Sequence, residues 1–129
     1  MAALTNYGEE KLSKHLLGIT SFTMPAALYI SLHTADPTET GATGEITAGS
    51  YTYARQPASF QWDAGNSWTE TSALIRWDNL PTNTISHWAL WDASTAGNAL
   101  VKGAFTASKS VVNGDSLEIA AQALYITMD

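Results

Sequence analysis

The side chains here that could do chemistry are three histidines, a group of acids near turns, and five tryptophans. The histidines are His15, His33 and His87; the acids are Asp63, Glu70, Asp78 and Asp92; the tryptophans are Trp62, Trp68, Trp77, Trp88 and Trp91. A metal site needs several ligands at a helical or strand-pair spacing, and no two histidines stand at one. His33 lies three residues before Asp36, but a strand end beside an Asp-Pro turn accounts for both. Glycoside hydrolysis needs two carboxylates facing one bond. The four acids sit at strand ends or in loops, where acidic residues are ordinary turn formers. No Gly-x-Ser-x-Gly elbow and neither phosphate-binding glycine fingerprint occurs. The sequence therefore assigns no catalytic, metal or cofactor residue.

The tryptophans admit two readings. On a surface they stack on sugars; within strands they fill cores and subunit contacts. Trp62, Trp77, Trp88 and Trp91 fall in strand patterns and read as core or contact residues. Trp68 lies in the polar run "DAGNSWTETS", read as a loop, and is the candidate for an exposed contact.

The elements that must position these residues can be read from periodicity. A helix is expected over residues 4–17, capped by Thr5 or Asn6, with Asn6 and Glu9 at capping-box spacing. Glu9 and Glu10 suit its positive end, Lys14 and His15 its negative end. Leu4, Leu12 and Leu16 would share one face, and Gly18 stops it. Thereafter the period is two. "ALYISLHT" alternates Leu28, Ile30 and Leu32 against Tyr29, Ser31 and His33. Residues 38–50, rich in Gly, Thr and Ala, read as a long exposed loop that orders on assembly. Further strands are expected at "YTYARQ", halted by Pro57, and at "SFQW", "ALIRW", "ISHWALW", "ALVKGAF" and "ALYITM". "ISHWALW" is apolar on both faces and so should be central. "SVV", Asn113-Gly114-Asp115 and "LEIA" form the clearest hairpin signal. The expectation is a mainly β chain: an antiparallel, jelly-roll-like sandwich of about eight strands at 27–129, preceded by one N-terminal α-helix, in a single 1–129 domain.

Composition bounds function. The 129 residues are 45% hydrophobic but only 14% charged, with net charge −6. A surface so sparse in charge suits burial against other subunits. The six basic residues are scattered, so there is no stripe for nucleic acid and no patch for an anionic membrane. There is no cysteine and no apolar run of membrane-spanning length.

Three stretches, "LTNYGEEKLSKHLLG", "LYISLHTADP" and "ISHWALWDASTAGNALVKGAFTASKSVVNGDSLEIAAQALYITMD", resemble a group of small tailed-phage virion proteins. Those share the patterns "LTNY…LLDHLLG", "LYVGLSTADP", "THFALFDA…GGNLL" and "KTVNSGDT…L.ITLD". Trp88 and Trp91 stand where relatives have Phe, and Ala96-Gly97 where they have Gly-Gly. The resemblance implies a non-enzymatic structural protein located in the phage particle, without cofactor. Its members are often labelled tail-fibre proteins; the single domain's size leans toward capsid decoration, with a tail-fibre or baseplate-associated role as the alternative and a carbohydrate-binding module as a second. Expected partners are copies of itself (dimer or trimer), phage capsid or tail proteins, and a host surface glycan. The expected contact residues are Tyr7 and Lys11 on the helix, Glu45, Ile46 and Tyr51 in or beside the long loop, and Trp68.

Overall fold

The computed structural model describes residues 2–128; Met1 and Asp129, the ends of the expected domain, lie outside them. In chain order the elements are β1 (Ala2–Leu4), α1 (Asn6–Leu16), β2 (Leu28–His33), β3 (Gln56–Ala58), β4 (Phe60–Asp63), β5 (Trp68–Thr71), β6 (Ile75–Leu80), β7 (Asn83–Trp91), β8 (Ala99–Val111), β9 (Asp115–Ile119) and β10 (Tyr125–Ile126). The fold is mainly β, an antiparallel sandwich with one helix near the N-terminus. Its main sheet has the order β1-β8-β7-β2-β3; opposite lie a three-stranded sheet, β10-β5-β4, and the pair β6-β9. The core between them gathers Ile30, Leu32, Trp77, Leu80, Ile85, Trp88, Leu90, Val101, Leu117 and Ile126, all buried.

Helix α1 is capped by Thr5, whose Oγ1 accepts from the Gly8 N–H at 3.1 Å while its hydroxyl donates to the Ala99 carbonyl at 2.6 Å. Asn6 makes no capping box. It is the first helical residue, and its N–H donates to the Glu39 carboxylate at 2.7 Å. The expected apolar stripe does not face the body: Leu4 lies in β1, and Leu12 and Leu16 are exposed. The helix instead meets β8 through Gly8. A Cβ there would collide with the Leu100 carbonyl oxygen, so only glycine lets the backbones approach this closely.

Strand β7 is central, as its two apolar faces suggest. Ile85 points into the core, yet so do Trp88 and Leu90, which have the opposite parity. A bulge between Ile85 and His87 reverses the side-chain alternation, so strict period two fails within this one strand. Beyond it, Ala89 and Trp91 pack with Ala99 and Tyr29 on the other face of the sheet.

Other strands depart from expectation. Residues 51–55 are not a strand; pairing begins at Gln56 and includes Pro57, which sits on edge strand β3 where a missing N–H is tolerated. Trp68–Thr71 is not loop but β5, the middle strand of its sheet. β6 runs on through Asp78-Asn79 to Leu80 across an irregularity. β10 has only two residues.

The Asn113-Gly114 turn exists, with the Asp115 N–H donating to the Val112 carbonyl at 2.9 Å and Gly114 at φ +90. It does not make a hairpin. β9 pairs with β6, not β8. The turn is tied sideways to the β6–β7 connection: Asn113 Oδ1 accepts from the Thr82 N–H at 2.9 Å, and the Gly114 N–H donates to Leu80 at 2.8 Å. It is a corner that carries the chain from one layer to the other.

Candidate functional site

Residues 38–50 are the irregular, mostly exposed segment that the sequence suggests, yet the stretch 34–46 is fastened to the body. It folds back as a flap over the face of the main sheet that carries Tyr29, Ser31, His33, Ala89 and Trp91. Pro37, Gly41 and Ile46 within it are buried. The Thr34 N–H donates to Gly44 and the Ile46 N–H to Leu32. Lys102 of β8 reaches Asp36 at 3.2 Å and Glu39 at 3.5 Å. Gly41, at φ +72, lies where a Cβ would come within 2.5 Å of Ala99 and 2.8 Å of the Trp91 ring.

Beneath the flap lies a polar network. The Trp91 Nε1–H donates to Ser31 Oγ at 2.8 Å, and Ser31 Oγ lies 2.7 Å from His33 Nε2. His33 Nδ1 is 2.7 Å from the Thr43 carbonyl. A carbonyl can only accept, so Nδ1 carries the proton, Nε2 accepts, and the Ser31 hydroxyl donates to it. A Ser–His pair at this distance has the form of an activated nucleophile. Here both residues are fully buried, the serine oxygen is shared with an indole N–H, and a backbone carbonyl stands where an orienting carboxylate would be. The pair bolts the flap to the sheet.

Arg55 closes the other side. Its Nε and Nη2 grip both Glu45 oxygens at 2.9 and 3.0 Å, and its Nη1 donates to Ala96 at 2.8 Å and Ala93 at 3.3 Å. The guanidinium lies 3.6 Å from the centre of the Trp91 ring. Tyr53 donates to Glu45 at 3.0 Å and accepts from the Leu32 N–H at 3.1 Å. Burial, then the Glu45 charge, push the Tyr53 phenol far above its ordinary range. One arginine thus joins the flap, the 93–96 turn and the sheet.

Burial lowers the His33 pKa; Arg55 and His87 push the same way, against the Thr43 carbonyl and Glu45. His87 stands directly opposite on β7. A folded-state value below the unfolded 6.5 means that the unfolded chain binds the proton first. The neutral imidazole's contribution is therefore complete above pH 6.5 and is lost as pH falls from there through the folded-state value. The wild-type melting temperature should drop more between pH 7.5 and pH 5 than that of His33→Asn; equal drops would refute this.

The acids singled out from the sequence are each engaged locally. Asp63 accepts from the Gly65 N–H and from Asn66; Asp78 from Arg76 and Ser116; Asp92 from the Asn98 N–H and side chain. Glu70 is buried and accepts from Gln61 at 2.9 Å and the Trp68 indole at 3.1 Å. Among the described residues no group of three or more His, Cys, Asp or Glu could hold a metal ion, and no helix is long and apolar enough to cross a membrane.

The six expected contact residues fall into separate surroundings. Tyr7 and Lys11 line a recess beside the helix, with the Lys11 ammonium 5.2 Å from the Tyr7 ring centre. Glu45 belongs to the Arg55 network, and Ile46 is in the core, so the chain itself covers it. Tyr51 is half-buried just beyond the flap. Trp68, expected in a loop, is half-buried on β5 and stacks on Tyr125 at 4.2 Å between ring centres. Of the tryptophans expected in the core or at contacts, Trp77, Trp88 and Trp91 are buried and Trp62 is exposed. Sequence reasoning missed Arg55, Tyr53 and Ser31, each of which has a partner far along the chain: Ala96 is 41 residues from Arg55, Leu32 is 21 from Tyr53 and Trp91 is 60 from Ser31.

No curated protein matches this chain. A family model does, over residues 3–127, and it is described as podophage GP4 fiber I protein gp80. The match runs from the first strand, through the flap and its arginine network, past the last strand. The chain belongs to that family of phage fibre structural proteins.

Proposed function

We propose that this chain is a non-enzymatic structural subunit of a tailed-phage particle, sited in a tail fibre rather than on the head. The observation that carries this is the family match over residues 3–127, whose description names a fibre protein. It favours the tail-fibre alternative over the capsid-decoration role expected from domain size. The geometry supports a role in assembly rather than turnover: the Ser31–His33 pair and Glu70 are buried with internal partners, and the Arg55–Glu45 pair is largely enclosed. The product is a stiff block whose longest irregular segment is fastened to the sheet. Immunogold labelling of purified particles, paired with mass spectrometry of their proteins, tests the reading. Label on tail appendages is expected; label on head facets, or absence from the particle, would overturn it.

Binding of a host glycan is a second reading, favoured by one observation. Tyr125 is half-exposed and stacks on Trp68, an aromatic surface of the kind that suits sugar rings. A shift of tryptophan fluorescence on adding host polysaccharide, lost in Tyr125→Ala, is the expected sign.

A further inference from the structure

Asn113-Gly114 makes no hairpin, but it has a chemistry of its own. It is the chain's single Asn-Gly pair, and both residues are exposed to water. An asparagine is chemically labile where the next backbone nitrogen can reach its side-chain carbonyl carbon. Glycine hinders that approach least, because it has no Cβ. The step is an internal displacement. The Gly114 nitrogen loses its proton to solvent base and bonds to Cγ of Asn113; the Cγ–Nδ2 bond breaks, and the amide nitrogen takes a proton from water and leaves as ammonia. Water then opens the cyclic imide at either carbonyl, which yields aspartate or isoaspartate. We propose that this corner is a site of spontaneous backbone modification that the fold holds unreactive, and that Thr82 is the clamp.

Both partners of the attack are tied to the chain that leads from β6 to β7. Asn113 Oδ1 accepts from the Thr82 N–H at 2.9 Å and from the Thr82 hydroxyl at 3.0 Å, and that hydroxyl oxygen accepts from the Asn113 N–H at 3.0 Å. One residue, 31 positions away, thus holds the side-chain amide and the backbone beside it. The attacking nitrogen is held as well. Its N–H, the proton that must leave, donates at 2.8 Å to the carbonyl of Leu80, a fully buried residue. The Asp115 carboxylate accepts from the Val112 N–H at 2.9 Å, and its charge beside the turn opposes the amide anion through which attack proceeds. Two donors on Oδ1 would also stabilise the oxyanion of an addition. They can do so only once the nitrogen reaches Cγ, and the bond to Leu80 restrains it. Reaction therefore waits for the corner to open. An isoaspartate would add a methylene to the backbone between β8 and β9, where the chain passes from one layer to the other. The Gly114 bond to Leu80 and the Asp115 bond to Val112 could not both survive it.

The test incubates the intact folded protein in mildly alkaline heavy-oxygen water beside the same protein unfolded in urea, and follows the peptide that contains Asn113 by mass spectrometry. Folded wild type should take up the label there at least about 10-fold more slowly than the unfolded chain. Thr82→Val keeps the branched shape and deletes both bonds of the hydroxyl, so the folded variant should react about 5-fold faster than wild type. Thr82→Ser keeps the hydroxyl and should match wild type. Thr82 is exposed, and Asn66 and Asn98 serve as monitors of global unfolding: their rates should be the same in wild type and Thr82→Val. Equal rates in folded and unfolded wild type would overturn the inference. So would a Thr82→Val that reacts no faster than wild type, or an acceleration shared by Asn66 and Asn98. The inference goes beyond placement in the fibre, and none of these results bears on the particle labelling.

Discussion

Trp91→Ala is expected to lower the free energy of unfolding by about 3–5 kcal/mol, the usual cost of emptying a large aromatic site. Three contacts disappear together. The indole N–H no longer donates to Ser31 Oγ, the ring no longer backs Gly41 of the flap, and the Arg55 guanidinium loses its stacking surface. Urea denaturation gives the magnitude. The location is seen in hydrogen exchange: the Thr34 and Ile46 amides, which bond to Gly44 and Leu32, should exchange faster. A loss below 1 kcal/mol, or unchanged exchange at those two amides, would show that the flap does not depend on this ring. Trp91→Phe should lose less, because it keeps most of the ring but not the indole donor.

Arg55→Ala should cost about 2–3 kcal/mol. Breaking a buried ion pair by deleting one partner typically costs 3–5; the lower figure reflects the partial exposure of Glu45, whose side chain is 23% accessible against 9% for the arginine. The Ala93 and Ala96 carbonyls also lose their donor. Arg55→Lys should recover little, since an ammonium cannot grip both Glu45 oxygens, reach two carbonyls and stack flat on an indole at once. Combined with Trp91→Ala, the two losses should fall short of additivity by more than 0.5 kcal/mol, because each variant already removes the 3.6 Å contact. Full additivity would mean that the stack contributes nothing.

The closed network also explains why residue types alone misdirect the search for chemistry in this chain. Ser31 and His33 are i and i+2 on a strand, the spacing that brings a nucleophile and a base onto one face. Only the flap tells that the pair is sealed, and its Thr43 carbonyl lies ten residues downstream. The dipeptide that promised a hairpin behaves alike. Asn113-Gly114 sets the local turn, but the partner of β9 is chosen by where Leu117 and Ile119 can be buried, and that is beside β6.

The sequence by itself determined the class: alternating apolar residues, Gly and Asn turns and one capped amphiphilic segment give a mainly β sandwich behind a helix, because those signals act within a few residues of chain. It also carried the family, whose patterns are strung along the chain in order. Strand pairing, the fastening of segment 34–46 and the orientation of α1 were decided only in three dimensions. Each depends on a contact between residues far apart in sequence: Gly8 on Leu100, Arg55 on Trp91, Lys102 on Asp36. Periodicity places Gly8, Leu12 and Leu16 on one helix face, but only Gly8 meets the body, and the two leucines beyond it are exposed.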